Sequence, residues 1–336
     1  MTKGEINMRI VLDAMGSDGA PAVEVEGAIQ AVKELDYEVV LVGDEKLIKE
    51  ELAKKGGSSD KITIVDAPER IEMHEAAAIS VRRKRHSSIV VGLEILKREE
   101  ADGFISAGNT GAVVCAAVLS LRLLPAIERP GIAVVYPTLK GATVMIDVGA
   151  NIDPKPLHLL QYGIMADAYS KYILHKDNPT VGLLNVGEEE SKGTDFIRET
   201  HTLLSESKLN FIGNIEGREI FKGNADIVLC DGFLGNVILK VSESIVDTLV
   251  KALKQEIKAD IIATVGAALA KSAFMNLQKK MDPSEYGGAP LLGVDGRCII
   301  SHGSSNSKAI KNAIRVAAEF KNQDVNKHIV EELESY

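Results

Sequence analysis

Short β-branched runs recur along the whole chain, and stretches of helical periodicity fill most of the gaps between them. The strand-like runs are Ile10 to Leu12, Val39 to Val42, Ile62 to Val65, Gly103 to Ser106, Ile132 to Tyr136, Thr143 to Val148, Thr180 to Leu184, Asn210 to Ile212, Asp226 to Leu229 and Arg297 to Ile300. Val23 to Leu35, Ser88 to Arg98, Leu157 to Leu174 and Ser304 to Phe320 carry the apolar spacing of helices. This alternation predicts βαβ units and a mostly parallel sheet covered on both faces, an α/β fold. No repeat, low-complexity tract or Pro/Gly/Ser linker divides the chain, so residues 8–330 are expected to form a single domain.

One segment interrupts the pattern. Residues 237–281 read as helix throughout, with Ile245, Leu249, Leu253 and Ile257, then Ile261, Val265 and Leu269, on the apolar spacing. That length exceeds an ordinary helix and is too periodic for a loop, so a projecting helical hairpin is expected. Its middle, residues 261–270, carries no charge, and lysines 254, 258, 271, 279 and 280 flank it. An apolar tip between lysines suits a helix lying in a membrane interface; a dimer-interface or core helix has the same pattern.

The composition excludes several classes. A net charge of −9 argues against nucleic acid, which requires clustered positive charge. Cys115, Cys230 and Cys298 are far apart and show no CxxC spacing, as expected of buried free thiols in a reducing cytoplasm. Met1 to Asn7 is short and polar, unlike a secretory leader, and Met8 is the expected start. The uncharged stretch from Gly103 to Leu121 is broken in its first half by Ser106, Asn109, Thr110 and glycines. Its remaining apolar run falls well short of the ~20 residues that a membrane span needs.

The chain has 29 glycines and no tryptophan, and the glycines gather where an open α/β sheet binds its ligands, just beyond strand ends. Asp13-Ala-Met-Gly-Ser-Asp18, Ser106-Ala-Gly-Asn-Thr-Gly111, Asp147-Val-Gly-Ala-Asn151, Asn185-Val-Gly187, Asp231-Gly-Phe-Leu-Gly-Asn236 and His302-Gly-Ser-Ser-Asn306 all follow strand-like runs. Each alone is an ordinary βα turn. Together they describe a polar cleft lined by backbone, a receptor for phosphate or an oxyanion. None is a Walker loop or a complete GxGxxG, and nucleotide binding is unsupported.

Cations for such a cleft are Arg82, Arg83, Lys84 and Arg85, which equally suit a solvated face, and Lys192, which precedes Gly193 in a loop opening a helix. No GxSxG elbow, HExxH or DxDxDG occurs, so serine and metal catalysis lack a motif, and neither metal nor cofactor is expected. His302 is either an acid/base or oxyanion donor, or a structural residue of a helix-capping loop. Asn109 and Asn236 each follow a glycine and are either ligands or left-handed turn residues.

At these residues the chain resembles the PlsX family, the bacterial phosphate acyltransferases of phospholipid synthesis. The resemblance runs from Met8 to about Ile329. It rests on Asp13-Ala-Met-Gly-x-Asp18, Ile105-Ser-Ala-Gly-Asn-Thr-Gly-Ala112, Asp147-Val-Gly-Ala-Asn151, Leu183-Leu-Asn-Val-Gly187, Gly213-Asn-Ile-Glu-Gly-Arg218, Asp231-Gly-Phe-x-Gly-Asn236, Tyr286-Gly-Gly-Ala289 and His302-Gly-Ser-Ser305. Ser17 departs from the pattern, which usually has a second glycine there.

The resemblance implies a Rossmann-like, three-layer αβα sandwich of isopropylmalate-dehydrogenase type, a homodimer, and reaction of orthophosphate with a fatty acyl thioester of acyl carrier protein. Phosphate is already an anion and needs no triad, only orientation and oxyanion stabilisation. By the same resemblance Lys192 would hold phosphate or the oxyanion, and Asn236 and His302 would orient the reacting groups. Asp13, Gly16, Gly108, Asn109, Thr110, Gly111, Asn151, Ser304 and Ser305 would complete the substrate pocket. Arg82 to Arg85 or the hairpin lysines would receive the acidic carrier protein. Ile261, Ile262, Val265 and Leu269 would touch the membrane, where a glycerol-3-phosphate acyltransferase that consumes acyl phosphate is an expected partner. A phosphotransacetylase using acyl-coenzyme A, a hydroxyacid dehydrogenase requiring NAD and a divalent metal, and a non-catalytic membrane-surface scaffold are the alternatives.

Overall fold

The computed structural model describes residues 8–57, 59–281 and 283–335. Met1 to Asn7 and the side chains of Lys279 and Lys280 lie outside the described residues. The first half of the chain runs β1 (Arg9–Asp13), α1 (Ala22–Leu35), β2 (Glu38–Gly43), α2 (Glu45–Lys54), β3 (Ile62–Asp66), α3 (Ala77–Arg83), α4 (Ser88–Lys97), β4 (Gly103–Ser106), α5 (Thr110–Leu121), β5 (Gly131–Thr138) and β6 (Gly141–Ile146). It continues with α6 (Pro156–Tyr172), β7 (Thr180–Asn185), α7 (Asp195–Ser205), β8 (Asn210–Glu216), β9 (Ile227–Leu229), α8 (Gly232–Ala259), α9 (Ile261–Leu269) and α10 (Lys271–Met281). After these come β10 (Ala289–Leu292), β11 (Cys298–Ile300), α11 (Ser307–Asn322) and α12 (Val325–Leu333).

All eleven strands join one sheet, in the order β3-β2-β1-β4-β11-β10-β5-β6-β9-β7-β8. Both ends of the sheet are parallel, but β10 is antiparallel to β11 and to β5, and β5 is antiparallel to β6. The block β6-β9-β7-β8 therefore runs opposite to the block β3-β2-β1-β4-β11. The expectation of a mostly parallel sheet holds within each block and fails at the centre. The reason is β10, which no sequence pattern marks: four residues, Ala289–Leu292, with Pro290 among them and Gly287 and Gly288 just before.

Side chains alternate across the sheet and build three layers. On one face Val11, Phe104, Ile132, Met145 and Val228 join α4, α5 and the inner side of α8 in a core that spans both blocks. The opposite face is divided: Ile10, Leu12, Leu41 and Ile105 pack under α1 and α11, and Val144, Ile146, Ile227 and Leu229 pack under α6. This is the αβα sandwich expected. Helices α5 and α8, one from each block, thus lie on the same face.

The long helical segment begins earlier than expected, at Gly232, because Asp231 caps it by accepting from Leu234 N at 2.8 Å. It is three helices in series. Asp260 breaks the first from the second, and its carboxylate accepts from Ile262 N at 2.6 Å. Among the described residues, no helix is long and apolar enough to cross a membrane.

Candidate active site

The expected loops do lie beyond strand ends, but in two groups. Those after β6, β9 and β7 form one group, and those after β1, β4 and β11 form the other.

In the first group Asp147 is the organiser. Its Oδ1 accepts from Ile132 N, Gly149 N and Ala150 N at 3.0, 3.0 and 2.9 Å, and Oδ2 accepts from Asn151 N at 2.7 Å. Burial raises its carboxyl above the usual range, and these amides pull it back down. Asn151 is a strut: its Nδ2 donates to Pro130 O at 2.6 Å and to Tyr162 Oη at 2.7 Å. These two bonds hold the side-chain amide against the scaffold.

The same loop docks on the start of α8, where Gly232 N donates to Asn151 O at 2.8 Å. A Cβ on Gly235 would lie 2.0 Å from Asp147 O, so only glycine fits. Asn236 follows, half-buried and inside the helix rather than in a left-handed turn. A Cβ on Gly149 would lie 3.7 Å from Asn236 Cγ, which makes the Gly149 loop and the Asn236 side chain neighbours.

Lys192 sits in the loop after β7. Its backbone is held, N donating to Glu189 O at 3.1 Å and O accepting from Asn185 Nδ2 at 3.2 Å. Its side chain is exposed, and among the described residues the structure shows no bond from it to Asn236 or His302. Sequence position put Lys192 in a loop opening a helix, and Thr194 indeed caps α7.

In the second group Asp13 and Ser106 tie the loops together. Ser106 Oγ donates to Asp13 Oδ2 at 2.6 Å, and Gly108 N donates to Ser106 Oγ at 3.0 Å. Asp13 is buried, and burial raises its carboxyl above the ordinary value. It ties the two loops together and does not face solvent. Gly16 lets the two loops meet backbone to backbone, since a Cβ there would lie 2.7 Å from Gly108 N. The Asn109 side chain is saturated: Oδ1 accepts from Ala112 N at 3.0 Å as the cap of α5, and Nδ2 donates to the carbonyls of Glu72, Met73 and Glu75 at 3.1 Å each. The left-handed reading of Asn109 is corrected, because its φ is −56°. Thr110 and Gly111 stand exposed in the first turn of α5, where helical N–H groups suit an anion.

The His302 loop joins this group through Asp18 N, which donates to Gly303 O at 2.9 Å, and Ser301 N, which donates to Ser106 O at 2.8 Å. His302 is exposed, and Ser304 Oγ lies 2.7 Å from its Nδ1. The Ser305 amide turns inward to His302 O at 2.9 Å. The cap of α11 is Asn306, so that helix begins three residues later than its periodicity predicts.

Beneath the first loop is a residue that sequence reasoning passes over. Glu24 is fully buried and accepts from Ser17 N at 2.9 Å, and Arg70 donates to Ser17 O at 3.3 Å. Burial pushes the Glu24 carboxyl up to about 7. A carboxyl raised in the fold contributes stability below its unfolded value, and that stability is lost as pH rises through about 7. Glu24→Gln is therefore expected to raise the Tm at pH 8 and to flatten its fall between about 4.5 and 7, an effect of about 3 kcal/mol. Thermal denaturation across that range checks this, and a pH profile identical to the parent's contradicts it.

Of the four consecutive basic residues, Arg82, Arg83 and Arg85 are exposed. Lys84 is not available: Nζ is paired with Glu75 and donates to Arg70 O at 2.7 Å. Ile261, Ile262, Val265 and Leu269 are 84%, 81%, 56% and 84% exposed, which rules out the core reading for α9 in this chain. Among the described residues, no group of His, Cys, Asp and Glu is placed to hold a metal ion.

Residues 8–328 match the model of a family described as fatty acid synthesis protein. The phosphate acyltransferase of Geotalea uraniireducens is 49% identical over 327 residues, covering 97% of this chain and 94% of the relative. The chain belongs to the PlsX family of phosphate acyltransferases. It is accordingly an acyltransferase. Among solved structures, the EutD phosphotransacetylase from Staphylococcus aureus superposes with a TM-score of 0.59 at 16% identity, covering 94% of each chain. A phosphotransacetylase from Streptococcus pyogenes gives 0.58 at 19% identity and 93% of each. These two likenesses show that the PlsX fold is the Rossmann-like αβα fold.

Proposed function

We propose that the chain transfers a fatty acyl group from the thioester of acyl carrier protein to orthophosphate, releasing acyl phosphate and free carrier. The observation that carries this reading is kinship with phosphate acyltransferases along nearly the whole chain, including every glycine loop described above. A phosphate oxygen attacks the thioester carbon directly. Lys192 neutralises phosphate or the tetrahedral oxyanion, and Asn236, with the amides at the start of α5, orients the reacting groups. The test is release of carrier thiol from an acyl carrier thioester with and without orthophosphate. Release that requires phosphate supports the reading; release at the same rate without it makes the enzyme a hydrolase. Acyl-coenzyme A as donor in a parallel reaction separates a carrier-protein enzyme from a coenzyme A enzyme.

Acyl carrier protein is acidic, so its docking face must be basic although the total charge is −9. Arg82, Arg83 and Arg85 supply that face; Arg85 also joins Arg9, Arg98, Glu94 and Glu100 around a cavity of about 340 Å³. Reversing the charge of Arg82 and Arg83 together is expected to raise the KM for carrier thioester several-fold at low salt and to leave the KM for phosphate unchanged. An unchanged carrier KM places docking elsewhere.

The tip helix α9 suits peripheral membrane contact, because it presents apolar side chains to solvent between the exposed Lys254, Lys258 and Lys271. Ile261→Asp combined with Val265→Asp is expected to abolish co-sedimentation with anionic liposomes; undiminished co-sedimentation rejects this contact. Along α8, Val241, Ile245, Leu249 and Leu253 form an exposed stripe of 50%, 53%, 63% and 48% accessibility. A second copy covering this stripe would give the homodimer, which sedimentation of the full chain tests.

A further inference from the structure

Glu243 lies on α8, seven residues beyond Asn236. That spacing is two helical turns, about 10 Å along the axis, and it puts both side chains on one face. Glu243 reaches back to the other block of the sheet, where its Oε2 lies 3.8 Å from His302 Nε2. Thus α8 connects the Asn236 group of loops with the His302 group. The other ring nitrogen of His302 is engaged as well. Ser304 N donates to Nδ1 at 3.1 Å, and Ser304 Oγ lies 2.7 Å from the same atom.

These contacts determine where the ring proton sits. A backbone N–H can only donate, so Nδ1 is the unprotonated nitrogen, and the neutral ring carries its proton on Nε2, toward Glu243. The Ser304 hydroxyl then donates to Nδ1. The charged groups packed around this pair are Asp18, whose carboxylate lies beside Gly303, and Glu243 itself. Ser304 and His302 are exposed, so the serine end of the chain is open to substrate.

We propose that Ser304, His302 and Glu243 form a proton relay for acyl transfer, with Glu243 as the positioning residue. The relay rests on the reading of the enzyme as a carrier-thioester:phosphate acyltransferase. An oxygen of hydrogen phosphate bonds to the acyl carbon, and the phosphate's own proton passes to Ser304 Oγ as the serine proton moves to His302 Nδ1. In the resulting imidazolium Nδ1–H donates to Ser304 Oγ and the Ser304 N–H gives up its bond to the ring, while the Glu243 carboxylate, 3.8 Å from Nε2, faces the positive charge. The C–S bond then breaks with its electron pair going to sulfur, and the proton returns from Nδ1 through Ser304 to that sulfur. Hydrogen phosphate has lost one proton, the thiol has gained it, and the relay is restored. A thiol of ordinary pKa, about 8.5, is mostly protonated near neutrality, and this return of the proton delivers the carrier as thiol.

Steady-state kinetics of the full chain with acyl carrier thioester and orthophosphate test the relay. Glu243→Gln is expected to lower kcat by about 10- to 100-fold with the KM for phosphate unchanged, and Glu243→Asp to recover part of that loss. In a His302→Gln background the further change to Glu243→Gln should cost less than about 2-fold, because the two act as one unit. A Glu243→Gln enzyme at parental kcat, or one whose loss is fully retained in the His302→Gln background, overturns the proposal. Ring-nitrogen NMR of 15N-histidine-labelled protein reads the tautomer independently of turnover. Nε2–H at His302, assigned by its loss in His302→Gln, is the expected state, and Nδ1–H refutes the relay. If the parent enzyme releases no thiol in the presence of phosphate, the functional reading fails instead, and the tautomer still judges the geometry.

Discussion

Lys192→Ala is expected to lower phosphate-dependent thiol release by about 10²- to 10³-fold, the usual cost of losing one oxyanion partner, while the Tm stays at the parental value. The separation of the two effects follows from how the residue is held. The Lys192 main chain is fixed by Asn185 and Glu189, bonds that alanine keeps, and the side chain is exposed. Activity and thermal denaturation measured on one preparation check both halves. An alanine variant with full kcat removes Lys192 from the reaction and leaves Asn236 and the helix amides as the anion site.

The second large effect is structural. Gly235→Ala places a methyl group 2.0 Å from Asp147 O, an atom that cannot yield because four backbone amides hold the Asp147 carboxylate. The first turn of α8 has to shift instead, and Asn236 shifts with it. Overpacking of this kind costs about 1–3 kcal/mol and sometimes more. For a chain of this length that is a Tm lower by about 1.5–4 °C, and we expect with it a drop in kcat beyond about 10-fold. Gly266→Ala is the control: nothing lies within 4 Å of the added methyl group, and alanine favours the helix, so its Tm should match or exceed the parent's. A Gly235→Ala protein with parental Tm contradicts the packing described here.

Much of the architecture was legible because aliphatic strands announce themselves. Runs such as Val39-Val-Leu-Val42 have apolar residues on both faces, which a covered parallel sheet requires. The antiparallel centre was not legible, because β10 is short, contains Pro290 and gains its place only by pairing with β5 and β11, contacts remote in sequence. Site residues divide along the same line. Glycine loops after strands are local signals, and the six motifs fell where expected. What each side chain does inside its loop is a tertiary matter, so the bonds by which Asn109, Asn151 and Asp13 tie their loops together could not be read from the motifs. Glu24 was invisible for the opposite reason: Glu24 and Glu26 alternate with valines at the start of α1 like solvent-facing residues, and only packing of the first loop buries one of them. Glu243 likewise looks like the polar side of a helix until His302 arrives from the other block.

The central claim is that phosphate itself attacks the thioester. It is tested most directly by incubating acyl carrier thioester with orthophosphate labelled with 18O on all four oxygens and following 31P NMR and released thiol together. Acyl phosphate is expected in amounts equal to the thiol, with 18O retained in the bridge between phosphorus and the acyl carbon. Thiol release without acyl phosphate, or acyl phosphate whose bridging oxygen is unlabelled, would contradict it.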